Sequence, residues 1–205
     1  MQPDYWAKAT KHLTKHCPTM GQLIRSYKGE YLTARGEGFY TLVRAVAGQQ
    51  ISVKAAEAIW RRMEKAVDPM TPQKLLRVRE ATLKKCGLSQ QKVDYVRNVA
   101  RFFRDNNVTP QYWSTRSDEQ IITELTSIKG IGTWTAEMFL IFHLARPNVF
   151  PVKDLGVLKA IDLHYTGGQR LKPKEYIALA EQWHPYKSVA TWYLWRALDP
   201  IPVAY

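Results

Sequence analysis

The stretch that decides the fold reads Leu125-Thr126-Ser127-Ile128-Lys129-Gly130-Ile131-Gly132-Thr133-Trp134-Thr135-Ala136 and then, after an apolar run, Phe150-Pro151-Val152-Lys153-Asp154. Its first part is two helical patterns joined by a hairpin at Gly130-Ile131-Gly132. Glycine lets the backbone turn tightly and come close to a partner. The helix leaving the hairpin starts with N–H groups that lack an intrahelical acceptor and with the positive end of its dipole, which suits a phosphate. Ile128 and Ile131 are spaced to plug the hairpin into a core. Further on, Pro151 favours an extended backbone. Leu155, Val157, Leu158 and Ile161 then continue as a helix. Asp154 is therefore expected at or near a helix N-terminus, where the dipole favours negative charge. Taken alone, such an aspartate reads as an ordinary N-cap.

Nearly every flanking segment also reads as helix. Trp6, Ala9 and Leu13 follow a helical period from Tyr5 to His16, and Pro18 then opens a second helix ending near Tyr27. A loop from Gly29 to Gly38 leads to an apolar helix over Phe39 to Ala47, which stops at Gly48. Ser52 can cap a helix running to about Val67 with Ala55, Ala56, Ile59 and Met63 inward. Thr71-Pro72 opens a short helix, Thr82 to Cys86 forms another, and Ser89 caps a longer one with Val93, Val96, Ala100 and Phe103 on one face. Ser117 with Gln120 makes a capping box for the helix that enters the hairpin. Helices over Thr133 to Ala145, Asp154 to Tyr165, Pro173 to Trp183 and Tyr186 to Leu198 complete the reading. Few stretches alternate with period two, so the fold class is all-α.

Composition narrows the class of partner. The 205 residues are 45% hydrophobic and 12% aromatic, enough to fill a core, and this argues against global disorder. The net charge of +12 and the pI near 9.7 favour a polyanion, for which nucleic acid is the usual candidate. Cys17 and Cys86 have no metal-ligand spacing and fit a reducing compartment. No histidine pair stands at ligand spacing with a carboxylate, so zinc is not expected. No apolar run approaches the length of about 18 residues that a membrane span needs. Met1-Gln2-Pro3-Asp4-Tyr5-Trp6 does not read as a signal peptide.

Several spaced elements combine with the hairpin. They are Gly48-Gln49-Gln50-Ile51-Ser52, Trp134-Thr135-Ala136, Pro151 to Asp154, and Pro185-Tyr186-Lys187-Ser188 leading to Trp195. As a set they resemble the helix-hairpin-helix DNA glycosylase superfamily, and within it the 3-methyladenine (alkylpurine) branch. The resemblance runs from about Phe39 to Trp195. It implies a bilobal helical fold with the active site in the groove between lobes. One lobe would cover about 40–130 with the hairpin at 125–136, the other 1–39 plus 137–205, the two making a single glycosylase unit. Larger bacterial alkylpurine enzymes carry an additional N-terminal α/β domain. The stretch before Phe39 is too short for one, so the chain is expected to resemble the compact forms.

The resemblance also assigns roles. Asp154 would be the catalytic aspartate in hydrolysis of the N-glycosidic bond of an alkylated purine, stabilising charge on the sugar or acting on the attacking water. Trp134 stands where strand-cleaving relatives place a lysine, and tryptophan forms no imine, so a monofunctional enzyme without lyase activity is expected. The flipped base would meet Trp134 and Trp195, with Met138 and Leu155 at positions that often carry aromatics. Phe39 and Tyr40 are further candidates for the base pocket. Gln50 matches the wedge that fills the gap left by the flipped nucleotide, and Ser52 a minor-groove contact, although Ser52 reads equally well as an N-cap.

The N–H groups of Gly130, Gly132 and Thr133, with Thr135 Oγ1, would hold phosphates. The backbone carbonyls of Thr126, Ile128 and Gly130 would ligate a structural Na+ or K+, since oxygen donors suit a hard cation. Lys54, Lys92, Arg97 and Lys187 would add diffuse, salt-sensitive affinity. Some branches of the superfamily hold an iron–sulfur cluster on four cysteines. No cysteine follows Cys86, so no iron–sulfur cluster is expected, and no cofactor for catalysis.

The expected partner is double-stranded DNA containing damaged bases. The protein is expected to act as a monomer, inside the cell and with the DNA. Two rivals stay open from sequence. One is the same fold acting on hypoxanthine, uracil or oxidised guanine. The other is a DNA-binding module without catalysis.

Overall fold

The computed structural model describes residues 2–34 and 36–198. Among them every regular element is helical: α1 (Trp6–His16), α2 (Pro18–Ser26), α3 (Gly38–Gly48), α4 (Val53–Ala66), α5 (Pro72–Arg77), α6 (Glu80–Lys85), α7 (Gln90–Asp105), α8 (Asp118–Thr126), α9 (Thr133–Phe142), α10 (Leu155–Tyr165), α11 (Pro173–Ala180) with a 3-10 turn at Glu181–Trp183, and α12 (Lys187–Leu198). The fold is all-α. Local sequence sets the helix starts. Ser52, Thr71, Ser89 and Ser117 each accept a backbone N–H three residues on, and Gln120 completes the capping box. Pro18, Pro72 and Pro173 sit in first turns, where a missing N–H costs nothing.

The described residues within Met1–Arg35 and Leu140–Ala204 form one compact unit, and those within Gly36–Phe139 form a second. The chain passes from the second to the first inside α9. In the first unit α12 is the central helix. Every side chain from Ser188 to Arg196 is buried, the pattern of a helix surrounded by others. It packs against α1, α2 and α10. Trp6 meets Trp192 edge-on at 5.3 Å and Tyr193 at 5.8 Å. Arg196 forms a two-pronged pair with Glu30, at 2.7 and 3.0 Å, and lies over the ring of Tyr27. The planar guanidinium suits this fork geometry, which a lysine could not reproduce.

In the second unit α7 presents Val93, Val96, Val99, Ala100 and Phe103 to the core, the face expected from its period. It packs on α3 and α5. On α4 the inward residues are Ile59, Trp60 and Met63, whereas Ala55 is exposed. The helix is turned toward Trp60 because that large ring finds both packing and a partner. It meets Tyr40 at 4.7 Å, and its Nε1 donates to the Tyr40 hydroxyl at 2.7 Å. Trp113 is buried against Phe102 and Phe139 and closes the core beneath α9.

Candidate active site

The carboxylate of Asp154 is in the first unit and is 7% exposed. Its backbone is extended, and its Oδ1 caps α10 by accepting the N–H of Val157 at 2.9 Å. The same oxygen accepts the indole N–H of Trp195 from α12 at 3.1 Å. Trp195 is itself stacked on Phe142, with centroids 5.6 Å apart and planes 21° apart. Gly156 leaves the room for this arrangement. A Cβ there would stand 3.2 Å from Asp154 Oδ1 and 3.6 Å from the Trp195 ring.

Ser188 fixes the loop that leads to Asp154. Its Oγ donates to the carbonyl of Arg146 at 2.6 Å and accepts the N–H of Val149 at 2.9 Å. Its own N–H reaches the Pro147 carbonyl at 3.0 Å. The Pro-Tyr-Lys-Ser motif thus anchors the approach to the carboxylate.

The hairpin and the Gln50 turn are in the second unit. Ile128 and Ile131 are buried and tie the hairpin to the core, as their spacing predicts. Gly130 has a φ of +109° and packs directly against the Tyr95 ring, so a Cβ there would overlap that ring. This position needs glycine for its conformation and for its contact. Gly132 and Thr133 are exposed at the start of α9, where the first N–H groups of a helix lack intrahelical acceptors. Gln50 is exposed at the tip of its turn with a φ of +57°, uncommon for a residue with a side chain. Ser52 is an exposed N-cap, its Oγ accepting from Ala55 at 3.3 Å.

Other expected site residues are placed differently. Thr135 is buried at 4% exposure, in the first turn of α9. Phe39 belongs to the core of the second unit, edge-on to Phe103. Tyr40 is partly exposed, and its hydroxyl is committed to Trp60 and to Glu64 Oε1 at 2.6 Å. Aromatic packing within the unit claims both residues. Leu155 is 75% exposed beside Asp154, in the first turn of α10. Met138 is buried, and Trp134 is partly exposed one residue into α9.

The cationic residues read as diffuse surface charge mostly have assigned partners. Lys92 Nζ donates to the carbonyls of Ala47 and Gln49, and Arg97 to those of Leu76 and Val78. Lys187 pairs with Glu181 at 2.5 Å. Of the hairpin carbonyls, that of Ile128 accepts the Ile131 N–H at 2.9 Å and that of Gly130 accepts Gln49 Nε2 at 3.1 Å. A carbonyl oxygen has two acceptor positions, so each of these two oxygens can accept a further donor or meet a hard cation.

Residues 43–185 match the family described as the HhH-GPD superfamily base excision DNA repair protein. The chain is 32% identical to DNA-3-methyladenine glycosylase 1 of Schizosaccharomyces pombe, covering 92% of this chain and 86% of that one. Among solved structures it is similar to a DNA-3-methyladenine glycosidase from Bacillus halodurans, with a TM-score of 0.83, 33% identity and coverage of 92% and 88%. It is also similar to the Schizosaccharomyces pombe 3-methyladenine DNA glycosylase in complex with abasic DNA, with a TM-score of 0.80, 30% identity and coverage of 92% and 95%.

Proposed function

The chain belongs to the HhH-GPD superfamily of base excision DNA repair proteins, and on that premise we propose that it is a monofunctional DNA glycosylase that hydrolyses the N-glycosidic bond of alkylated purines in double-stranded DNA. The observation that carries this reading is the Asp154 carboxylate, buried at a helix N-terminus and gripped at Oδ1 by Val157 and Trp195.

An alkylated purine such as 3-methyladenine or 7-methylguanine already carries positive charge. Its C1′–N bond breaks with the electron pair leaving on the base, which neutralises it. The sugar becomes cationic as the base departs. A fixed carboxylate in a water-poor site stabilises that charge without having to reorganise. Water then bonds to C1′ and gives up a proton. The product is a free base and an abasic site.

In this reading Gln50 is the wedge, and the N–H groups of Gly130, Gly132 and Thr133 hold phosphates. Trp134, partly exposed on α9, offers an aromatic face that attracts a cationic base, whereas Trp195, 5% exposed and stacked on Phe142, holds the carboxylate instead. The carbonyls of Thr126, Ile128 and Gly130 hold a Na+ or K+ that stiffens the hairpin. No helix among the described residues is long and apolar enough to cross a membrane, and the protein works as a monomer where the DNA is. The direct test is to incubate methylated DNA with the protein and identify released bases by mass spectrometry. Release of 3-methyladenine and 7-methylguanine is expected. DNA binding without any released base would mean a non-catalytic binding module.

A further inference from the structure

Lys92, Tyr95 and Asn98 follow one another along α7 at intervals of three residues, which makes them neighbours on the helix surface. Each holds a different part of the two loops described above. Lys92 Nζ donates to the carbonyls of Ala47 at 2.8 Å and Gln49 at 2.7 Å, at the C-terminal end of α3. The Tyr95 ring fills the space beside Gly130. Asn98 Nδ2 donates to the Lys129 carbonyl at 3.2 Å. Gln49 closes the circuit by donating from Nε2 to the Gly130 carbonyl at 3.1 Å. The turn carrying Gln50 and the hairpin are therefore fastened to one helix and to each other.

The chemistry of these bonds suits a fixed spacer. The Lys92 ammonium meets the negative end of the α3 dipole and two carbonyls whose helical partners have run out. Burial draws water from it and lowers its pKa, so those carbonyls stand in for the lost hydration. Gln50 itself is held at a φ of +57°. A side-chain-bearing residue keeps that conformation only where its surroundings over-determine it. Here the surroundings are the Lys92 bonds on one side of the turn and the Ser52 cap on the other.

A wedge can offset the unstacking of a base only if it enters the duplex at a set distance from the phosphates that the protein grips. We propose that Lys92 and Gln49, with Tyr95 and Asn98, are positioning residues that set the Gln50 turn against the hairpin, and that this spacing governs extraction of a base from a paired duplex. The inference rests on the reading of Gln50 as the wedge and of the hairpin as the phosphate site.

The test compares single-turnover release of 7-methylguanine from a fully paired duplex with release of the same lesion inside a short bubble of unpaired bases. Extraction is demanding only in the first substrate. Lys92→Met keeps the aliphatic stem and removes both bonds. Gln49→Ala removes the link to Gly130 without stranding a charge, and it serves alone if Lys92→Met does not fold. Each should lower the paired-duplex rate about tenfold and leave the bubble rate within about twofold. Lys92→Arg should recover much of the loss. An equal fall on both substrates, or no fall on either, would overturn the proposal. Gln50→Ala, run in parallel, separates this from the underlying reading. If Gln50→Ala slows the paired duplex while the other two variants do not, the wedge stands and the spacer is wrong. If none of the three slows it, both are wrong.

Discussion

The indole N–H of Trp195 donates to Oδ1 of Asp154 at 3.1 Å, and the backbone N–H of Val157 reaches the same oxygen at 2.9 Å. Two helices, α12 and α10, thus fix one carboxylate oxygen. Trp195 is therefore more than an aromatic surface for a base. Its indole holds the carboxylate that, on the proposed reading, faces the sugar.

Replacing Trp195 by Phe keeps a ring that can stack on Phe142 and removes the donor. Loss of a hydrogen bond to a charged group costs roughly 1.5–3 kcal/mol. Single-turnover base release should fall about ten- to a hundredfold, with helical content unchanged by circular dichroism. Wild-type rates in this variant would show that the indole does not orient the carboxylate.

Gly156→Ala should separate stability from activity. Alanine favours a helix interior over glycine by about 1 kcal/mol, and displacing the doubly bonded Asp154 Oδ1 opposes that gain, so the melting temperature should change little. The new Cβ would sit 3.2 Å from Asp154 Oδ1, closer than ordinary contact, and the carboxylate must yield by a few tenths of an ångström. Misplacement on that scale should slow excision by roughly three- to tenfold. A stable variant with an unchanged rate would mean that the carboxylate tolerates the shift.

Gly130→Ala should damage the hairpin instead. It sets a side chain at a φ of +109° and into the Tyr95 ring. Backbone strain of this kind costs about 1–3 kcal/mol before the overlap is counted. Affinity for DNA containing an abasic site should drop at least about tenfold, and the melting temperature should fall. Gel-shift titration and a thermal scan would check both. A variant that binds abasic DNA like the wild type would remove the hairpin from the phosphate site.

These sites were legible in the sequence to different degrees. The helix starts were readable because caps act locally: Ser52, Ser89 and Ser117 each reach only three residues ahead. Asp154 as an N-cap followed from Pro151 and from the period of α10. The hairpin plugs Ile128 and Ile131 were visible for the same reason. Contacts between distant segments were not visible. Nothing near Lys92 in the chain says that its ammonium will cap α3, forty-five residues earlier, and the +12 charge invited a solvated reading. Phe39 and Tyr40 looked available for a base because apolar aromatics read alike whether they line a pocket or a core. Only the partners Phe103, Trp60 and Glu64 decide the matter. Gly156 offered a signal that local rules do pick up: a glycine early in a helix, where alanine would be the better helix former.

Trp134 leads to a prediction about product. Strand cleavage by this fold needs a lysine amine that forms an imine with the sugar, and the indole of Trp134 has no such chemistry. Incubation with abasic DNA should leave the strand intact, and borohydride should trap no covalent complex. A trapped adduct mapped to any lysine of this chain would overturn the monofunctional reading.

The central claim is that the charge of Asp154 drives bond cleavage, and Asp154→Asn tests it most directly. Asparagine caps helices about as well as aspartate, so α10 should start as before and the fold should survive. The volume is kept and the charge is lost. The measurement is single-turnover release of 7-methylguanine, alongside affinity for abasic DNA by fluorescence anisotropy. We expect release to fall by roughly a thousandfold or more, with affinity within a few-fold of the wild type. Release at or near the wild-type rate, from a variant that folds and binds, would contradict the account.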